Sequence, residues 1–468
     1  MTEVVTAPNL LCPSSFGEEV DDSNDTTKSN NHDWLSFSQN TDIGKLAEEL
    51  LKRERLVDWA TSVLAKGLAV VAHRRRCGDH PNSTTVVPNK PARIPLDEVV
   101  DVIDFRHHAD SSSVTTASET TIEHLPENIR RLLREFVSVI ASTHKMHAYH
   151  NFANACQTLM CTAESLSIAR RQSGVSPLAA LALLFASLIP YVNHPGGDLT
   201  NVQISQDQVW LGQHYQMTAV LQQNALDVTW HIFMDAQFDE MRQYMFHSSI
   251  QNDEFALFRQ VVVNAVMATD DGDNAKARQE REARWKESAV TDSNMRQTVL
   301  LEYLLQLSQA TPALQDGRTY LRETQLRFDE TVLAHQQGRL GGDNYEEYED
   351  EENHHHHHPS TYWYQRELDY LDNMVVPLVR RLREAKVLPH ADTVYRNVRR
   401  NRCEWKNCGE AIVKAFVQGK YRADEESDQS ALRSEKSTLP VEELLTQALL
   451  QDRVRNNKGT DAANLLQP

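Results

Sequence analysis

An all-α fold is what this sequence predicts, and three observations predict it. From Leu125 onward, apolar residues recur every three to four positions almost without interruption. No alternating apolar–polar run of useful strand length breaks that rhythm. At 468 residues the chain is long enough for one large domain or two ordinary ones, so it can bury a sizeable core. The expected architecture is a multi-helix bundle with a disordered N-terminus and a polar C-terminal tail.

Residues 1–42 are rich in Ser, Asn, Asp and Thr and lack periodicity, so they are expected to be disordered. Residues 43–120 are read as an N-terminal helix and a linker. The helical spacing runs through Leu46, Leu50, Leu56, Trp59, Val63 and Leu68 and ends in the basic cluster Arg74-Arg75-Arg76. A Pro/Asn/Thr loop, a short apolar segment at Leu96–Ile103 and a Ser/Thr linker follow. The main domain is expected over 121–420. Within it, Leu132, Phe136, Val139 and Ile140 open one helix, and Leu221, Ala225, Val228 and Ile232 mark another. Phe258, Val261, Val262 and Ala265 mark a third, and Leu300, Leu304 and Leu307 a fourth. Leu178–Ile189 is continuously apolar but short, which fits a buried core helix rather than a membrane span. Residues 341–360 form an acidic and His-rich insertion holding His354–His358. Helical spacing resumes over Trp363–Leu382 and Val394–Phe416. The polar tail 421–468 carries one more expected helix at Val441–Val454.

The formal net charge of −18 argues against a nucleic-acid surface or an anionic-membrane surface. No membrane span and no secretory signal are expected. Of the six cysteines, Cys156 and Cys161 are expected to face a helix core, and no zinc-site spacing is present. A reducing, cytoplasmic setting is the expectation. The histidine run lacks fixed geometry and reads as a surface insertion. Phosphate-binding loops, nucleophile elbows and paired Cys-x-x-Cys motifs are absent.

Two segments carry the chemistry. One is Tyr149-His150-Asn151-Phe152-Ala153-Asn154-Ala155. The other is Pro190-Tyr191-Val192-Asn193-His194-Pro195-Gly196. Together they resemble the two histidine motifs of the class I 3′,5′-cyclic nucleotide phosphodiesterases of the HD superfamily, His-Asn-x-x-His-Ala and His-Asp-Val-Asp-His-Pro-Gly. Ala268-Thr269-Asp270 resembles that family's Ala-Thr-Asp. Glu302–Leu307 resembles the helix leading to its last metal aspartate. The segment from Trp363 through Glu367, Tyr370 and Asn373 to Pro377 resembles its purine clamp, in a version similar to receptor-type enzymes of unicellular eukaryotes. Arg399, Asn401, Arg402, Glu404 and Trp405 support that subgroup.

The resemblance implies a two-metal site using zinc and magnesium. Such a site bridges a water and lowers its pKa towards ~7. Two histidines and two aspartates would be the protein ligands, with one more histidine as general acid. Aligned to those motifs, the ligand positions hold Asn154, Pro190, Tyr191 and Ser308, with Gln309 the alternative to Ser308 if the register shifts by one. None is a strong ligand for a dication. No metal cofactor is therefore expected. His150 matches the general acid, retained either for residual catalysis or for a structural or ligand-contacting role. His194 is expected to hold the Pro195-Gly196 turn. Glu367 and Tyr370 match the base-recognising and stacking positions, or else simply pack the last helices. Tyr149 and Asn151 complete the candidate ligand pocket.

The leading expectation is a phosphodiesterase homologue of cAMP/cGMP signalling that is catalytically inactive and works through protein partners. One alternative is a divergent active phosphodiesterase using His150 with a relocated or absent metal. Another is a non-catalytic binder or scaffold that holds cyclic nucleotide weakly by stacking on Tyr370, worth ~1–3 kcal/mol.

Overall fold

The computed structural model describes residues 43–76, 125–216, 218–246, 253–270, 275–288, 293–339 and 358–418. The expected disorder at 1–42, the Leu96–Ile103 segment, most of the 341–360 insertion and the 421–468 tail with its Val441–Val454 helix lie outside them. Two units are distinguished, Met1–Leu50 and Leu51–Pro468. Of the first, the described part is the helical stretch 43–50. The second holds all the other described residues, and with them the core and the cleft.

Among the described residues there is no strand, and the fold is all-α. The helices are α1 (Ile43–Arg76), α2 (Glu127–Thr143), α3 (Phe152–Ser173), α4 (Pro177–Ala186), α5 (Asn201–Asp207), α6 (Val209–His214), α7 (Val220–Phe233) and α8 (Asp239–Phe246). They continue as α9 (Asp253–Met267), α10 (Ala275–Ser288), α11 (Ser293–Gln309), α12 (Thr311–Leu314), α13 (Gly317–Gln336), α14 (Trp363–Tyr370), α15 (Val376–Glu384) and α16 (Ala391–Val417).

The centre is α4. Every one of its residues is buried, as an apolar run too short for a membrane should be. Ser176 caps it by accepting from the Ala179 N–H, and Pro177 sits in the first turn, where a missing N–H costs nothing. It packs on α9 and α3, and α11 packs on both. A second layer joins α12, α13 and α14 to α16. There Trp363 and Trp405 are fully buried, with the Trp405 Nε1–H donating to the Tyr364 carbonyl at 3.0 Å.

By length and composition, Leu50–Arg75 is long and apolar enough to cross a membrane, with mean hydropathy 1.2. Between Leu56 and His73 the charged residues are Asp58 and Lys66 alone, which is why it passes. Its apolar side is used inside the fold, where Val57, Leu64, Leu68 and Val71 are buried in the main core. Cys156 is buried in the same core and Cys161 packs against it.

Trp363–Glu384 is one continuous helical run with a wider π-helical turn at Leu371–Val375. Pro377 is the local cause. It cannot donate to the carbonyl four residues back, and the turn before it widens.

Candidate active site and base pocket

A cleft of about 190 Å³ opens where the ends of several helices meet. The segment before α3 contributes Tyr149 and His150. The connection from α4 to α5 contributes Pro190, Tyr191, His194 and Asp198. Gln222 comes from α7, Asp270 from the end of α9, and Gln309 from the end of α11. Arg327 comes from α13, and Arg366 and Tyr370 from α14.

Glu330 organises the floor. Its Oε2 accepts the backbone N–H groups of Tyr149 at 2.7 Å and His150 at 3.1 Å. Its Oε1 accepts the Gly197 N–H at 2.7 Å and His150 Nδ1–H at 2.6 Å. Burial opposes its ionisation, but His150 and these donors hold its carboxyl far below the usual carboxylate range. The loop can reach it because Gly196 and Gly197 both take the left-handed backbone, at φ 86° and 83°. A Cβ at Gly196 would stand 2.7 Å from the His147 ring, and one at Gly197 would stand 2.8 Å from the Ala334 Cβ.

His150 and His194 stack, with ring centroids 3.9 Å apart and planes 17° apart. Their hydrogen bonds place a proton on different ring atoms. Facing the Glu330 carboxylate, His150 Nδ1 carries a proton, and its Nε2 is left clear of Glu330. His194 Nδ1 accepts the Gly196 N–H at 3.1 Å, so its proton sits on Nε2. Burial, with His150 alongside, pushes the His194 pKa well below the ordinary value, so the ring is neutral. Tyr191 lies edge-on to His150 at 5.3 Å. His147 Nε2 meets the His194 carbonyl at 3.0 Å.

The expected ligand positions divide. Pro190 and Tyr191 line the cleft. Asn154 is buried, with its amide N–H donating to the Tyr149 carbonyl at 2.6 Å. Ser308 is fully buried, and its hydroxyl donates back to the Leu304 carbonyl at 2.7 Å. Its neighbour Gln309 reaches the cleft instead. Asn151 caps α3, accepting from the Asn154 N–H and donating to the His147 and Ala148 carbonyls.

One group among the described residues has metal-ligand types in reach of one another, namely His150, His194 and Glu330, with candidate ligand atoms within 4.8 Å. These residues do not fit a two-metal centre. Glu330 already accepts four hydrogen bonds, and His194 presents an N–H. At most His150 Nε2 is left to ligate, where a divalent ion needs several donors.

The base-recognition positions also differ from expectation. Glu367 does not face the main cleft. It accepts from the Tyr320 hydroxyl at 2.6 Å and from the Arg327 guanidinium. Arg327 lies over the rings of Tyr370, Trp363 and Tyr149. Asp198 pairs with Arg366 at 2.9 Å and lies 3.9 Å from Arg327 Nε. Burial opposes its charge, yet these two arginines hold Asp198 below the ordinary carboxylate range. Burial pushes the Tyr149 phenol up to about 12, so it is neutral. Glu330, Arg327 and Asp198 were not among the residues expected from sequence. A signal did exist. Tyr320, Glu323, Arg327 and Glu330 repeat at helical spacing along α13 and share its buried or half-buried side.

No curated protein matches the chain. Solved structures do, among them two of the phosphodiesterase domain of a rhodopsin–phosphodiesterase fusion from the choanoflagellate Salpingoeca rosetta. One is 19% identical over 61% of this chain and 85% of that chain, with a TM-score of 0.47. The other is 17% identical over 62% and 82%, with a TM-score of 0.49. The family profile described as 3′5′-cyclic nucleotide phosphodiesterase matches residues 149–398, more than half of the sequence. That span holds both histidine segments, Glu330, Arg327 and the last aromatic helices, and this chain belongs to the 3′,5′-cyclic nucleotide phosphodiesterase family.

Proposed function

We propose that this protein is a phosphodiesterase homologue that does not hydrolyse cyclic nucleotides by the two-metal mechanism and serves cyclic nucleotide signalling without catalysis. The donor set in the cleft is the observation that carries this reading. Hydrolysis at neutral pH needs a hydroxide nucleophile, cationic stabilisation of the phosphoryl oxygens and a proton for the leaving oxygen. His150, oriented by Glu330, is suited to the third task alone. Pro190 offers no donor atom, and the Tyr191 ring packs on His150. The Asn154 amide N–H and the Ser308 hydroxyl both donate to backbone carbonyls. A proton donor by itself supplies ~10²–10⁴-fold, far short of what a phosphodiester demands.

The retained frame supports a role in which the fold, rather than the reaction, is used. A protein partner is the proposed target. The free cysteines Cys156, Cys161, Cys403 and Cys408 support a reducing, cytoplasmic setting.

The test is turnover of cAMP and cGMP by purified protein in added Mg²⁺ and Mn²⁺, beside the His150→Ala variant. The expected result is no turnover above buffer for either protein. Turnover that disappears in His150→Ala would establish the divergent active enzyme instead.

A further inference from the structure

We propose that Arg327 is a built-in occupant of the slot where a nucleotide base would lie, and that it determines what the cleft excludes. The inference rests on reading the cleft as a nucleotide pocket, and it is independent of whether hydrolysis occurs. The guanidinium carbon stands 5.2 Å from the ring centroid of Tyr370, 5.4 Å from that of Trp363 and 6.0 Å from that of Tyr149. Three rings around one flat cation form an aromatic cage. Here the cation is the chain's own side chain.

Charge pairing locks it there. Glu367, whose side chain is 1% exposed, bonds the Arg327 guanidinium and also accepts from the Tyr320 hydroxyl. Asp198 lies 3.9 Å from the Arg327 Nε. Arg327 therefore divides the space in two. In front lies the cleft of about 190 Å³, with Tyr149, Arg327 and Tyr370 in its wall. Behind lies a void of about 10 Å³, scarcely one water in size, and Glu367 lines only that void.

The acid that sequence assigns to base recognition is thus shut off from the cleft, and the Tyr370 face beneath Arg327 is already taken. To stack on that face of Tyr370, a base must displace the guanidinium and strand Glu367 as an unpaired buried charge. Breaking such a pair costs more than one stacked base returns. Arg327 is therefore the residue that closes this pocket to cAMP and cGMP, whatever becomes of the metals.

The experiment is isothermal titration of the full chain with cAMP and with cGMP, for the native protein and for the double variant Arg327→Leu/Glu367→Gln. The double variant removes both charges together and keeps the contact from Tyr320. Replacing a whole buried pair is tolerated far better than breaking it. The native protein is expected to show no saturable binding up to about 1 mM. The folded double variant should gain saturable binding about tenfold tighter or more, the order expected when a base acquires a stacking face. Native protein that binds as tightly as the variant would overturn the inference, and so would a folded variant that binds no better. Should the double variant fold poorly, Arg327→Lys is the second probe. It keeps a charge for Glu367 and loses the flat group between the rings, so binding should rise in the same direction, and no rise overturns the inference. Binding gained without turnover supports the closed slot. Turnover in these variants would contradict the non-hydrolytic reading and leave the closed slot standing.

Discussion

Glu330 has little lone-pair capacity left, and that single fact shapes the site. Its four donors come from Tyr149, His150 and Gly197, so it ties two loops to α13 and cannot also serve a metal. Glu330→Ala strands those donors and should destabilise the fold by about 2–4 kcal/mol in urea denaturation. His144 supplies a pH dependence. Burial lowers its pKa from 6.5 to about 4, against a raising hydrogen bond from its Nδ1 to the Ile140 carbonyl. Below pH 6.5 the unfolded chain binds a proton that the folded ring refuses until about pH 4. Stability should therefore be fully present above pH 6.5 and fall progressively towards pH 4, with buried His194 acting in the same direction. Melting curves across that range should show a smaller fall for His144→Phe. The frame around His150 and His194 was legible because its residues are contiguous. Glu330, Arg327 and Asp198 were not, because a charged residue on a helix or loop is ordinarily read as facing solvent, and their roles depend on pairings across more than a hundred residues of chain or between distant helices.

At the scale of elements, local rules account for most boundaries. Asn151 caps α3, Ser176 caps α4, and Thr200 with Gln203 forms a capping box on α5. Gly174 ends α3 in the left-handed region at φ 65°. The two left-handed turns make a controlled comparison. At Gly174 a Cβ meets nothing within 4 Å, so Gly174→Ala should cost only the backbone strain, about 1–2 kcal/mol. At Gly197 the same strain is joined by a 2.8 Å clash and by risk to the bond with Glu330, so Gly197→Ala should cost clearly more in the same melting assay. The Leu178–Ile189 segment was readable as a core helix from length alone, although its helix ends at Ala186 and turns succeed it. The sequence left Ser308 and Gln309 as alternatives at the cleft. The choice depends on which face of α11 the core claims, and Ser308 is fully buried while Gln309 lines the cleft.

At the scale of the chain, the helical rhythm was enough to predict the fold class, because the main core takes buried residues at that spacing from most of the described helices. The sequence placed α1 apart from the main domain, yet Leu64, 1% exposed, shares the core of α2 and α4. Leu64→Ala should cost about 2–5 kcal/mol and shift a single cooperative transition. A minor separate transition would show that α1 folds by itself. The central claim is that this family frame has lost its metal centre. The most direct measurement is metal content by inductively coupled plasma mass spectrometry, on protein incubated with Zn²⁺ and Mg²⁺ and then desalted. His354–His357 should first be changed to serine, so that the histidine run cannot take up metal. Metal far below one equivalent is the predicted result. Zinc retained near one equivalent per chain, and lost in His150→Ala, would contradict the account.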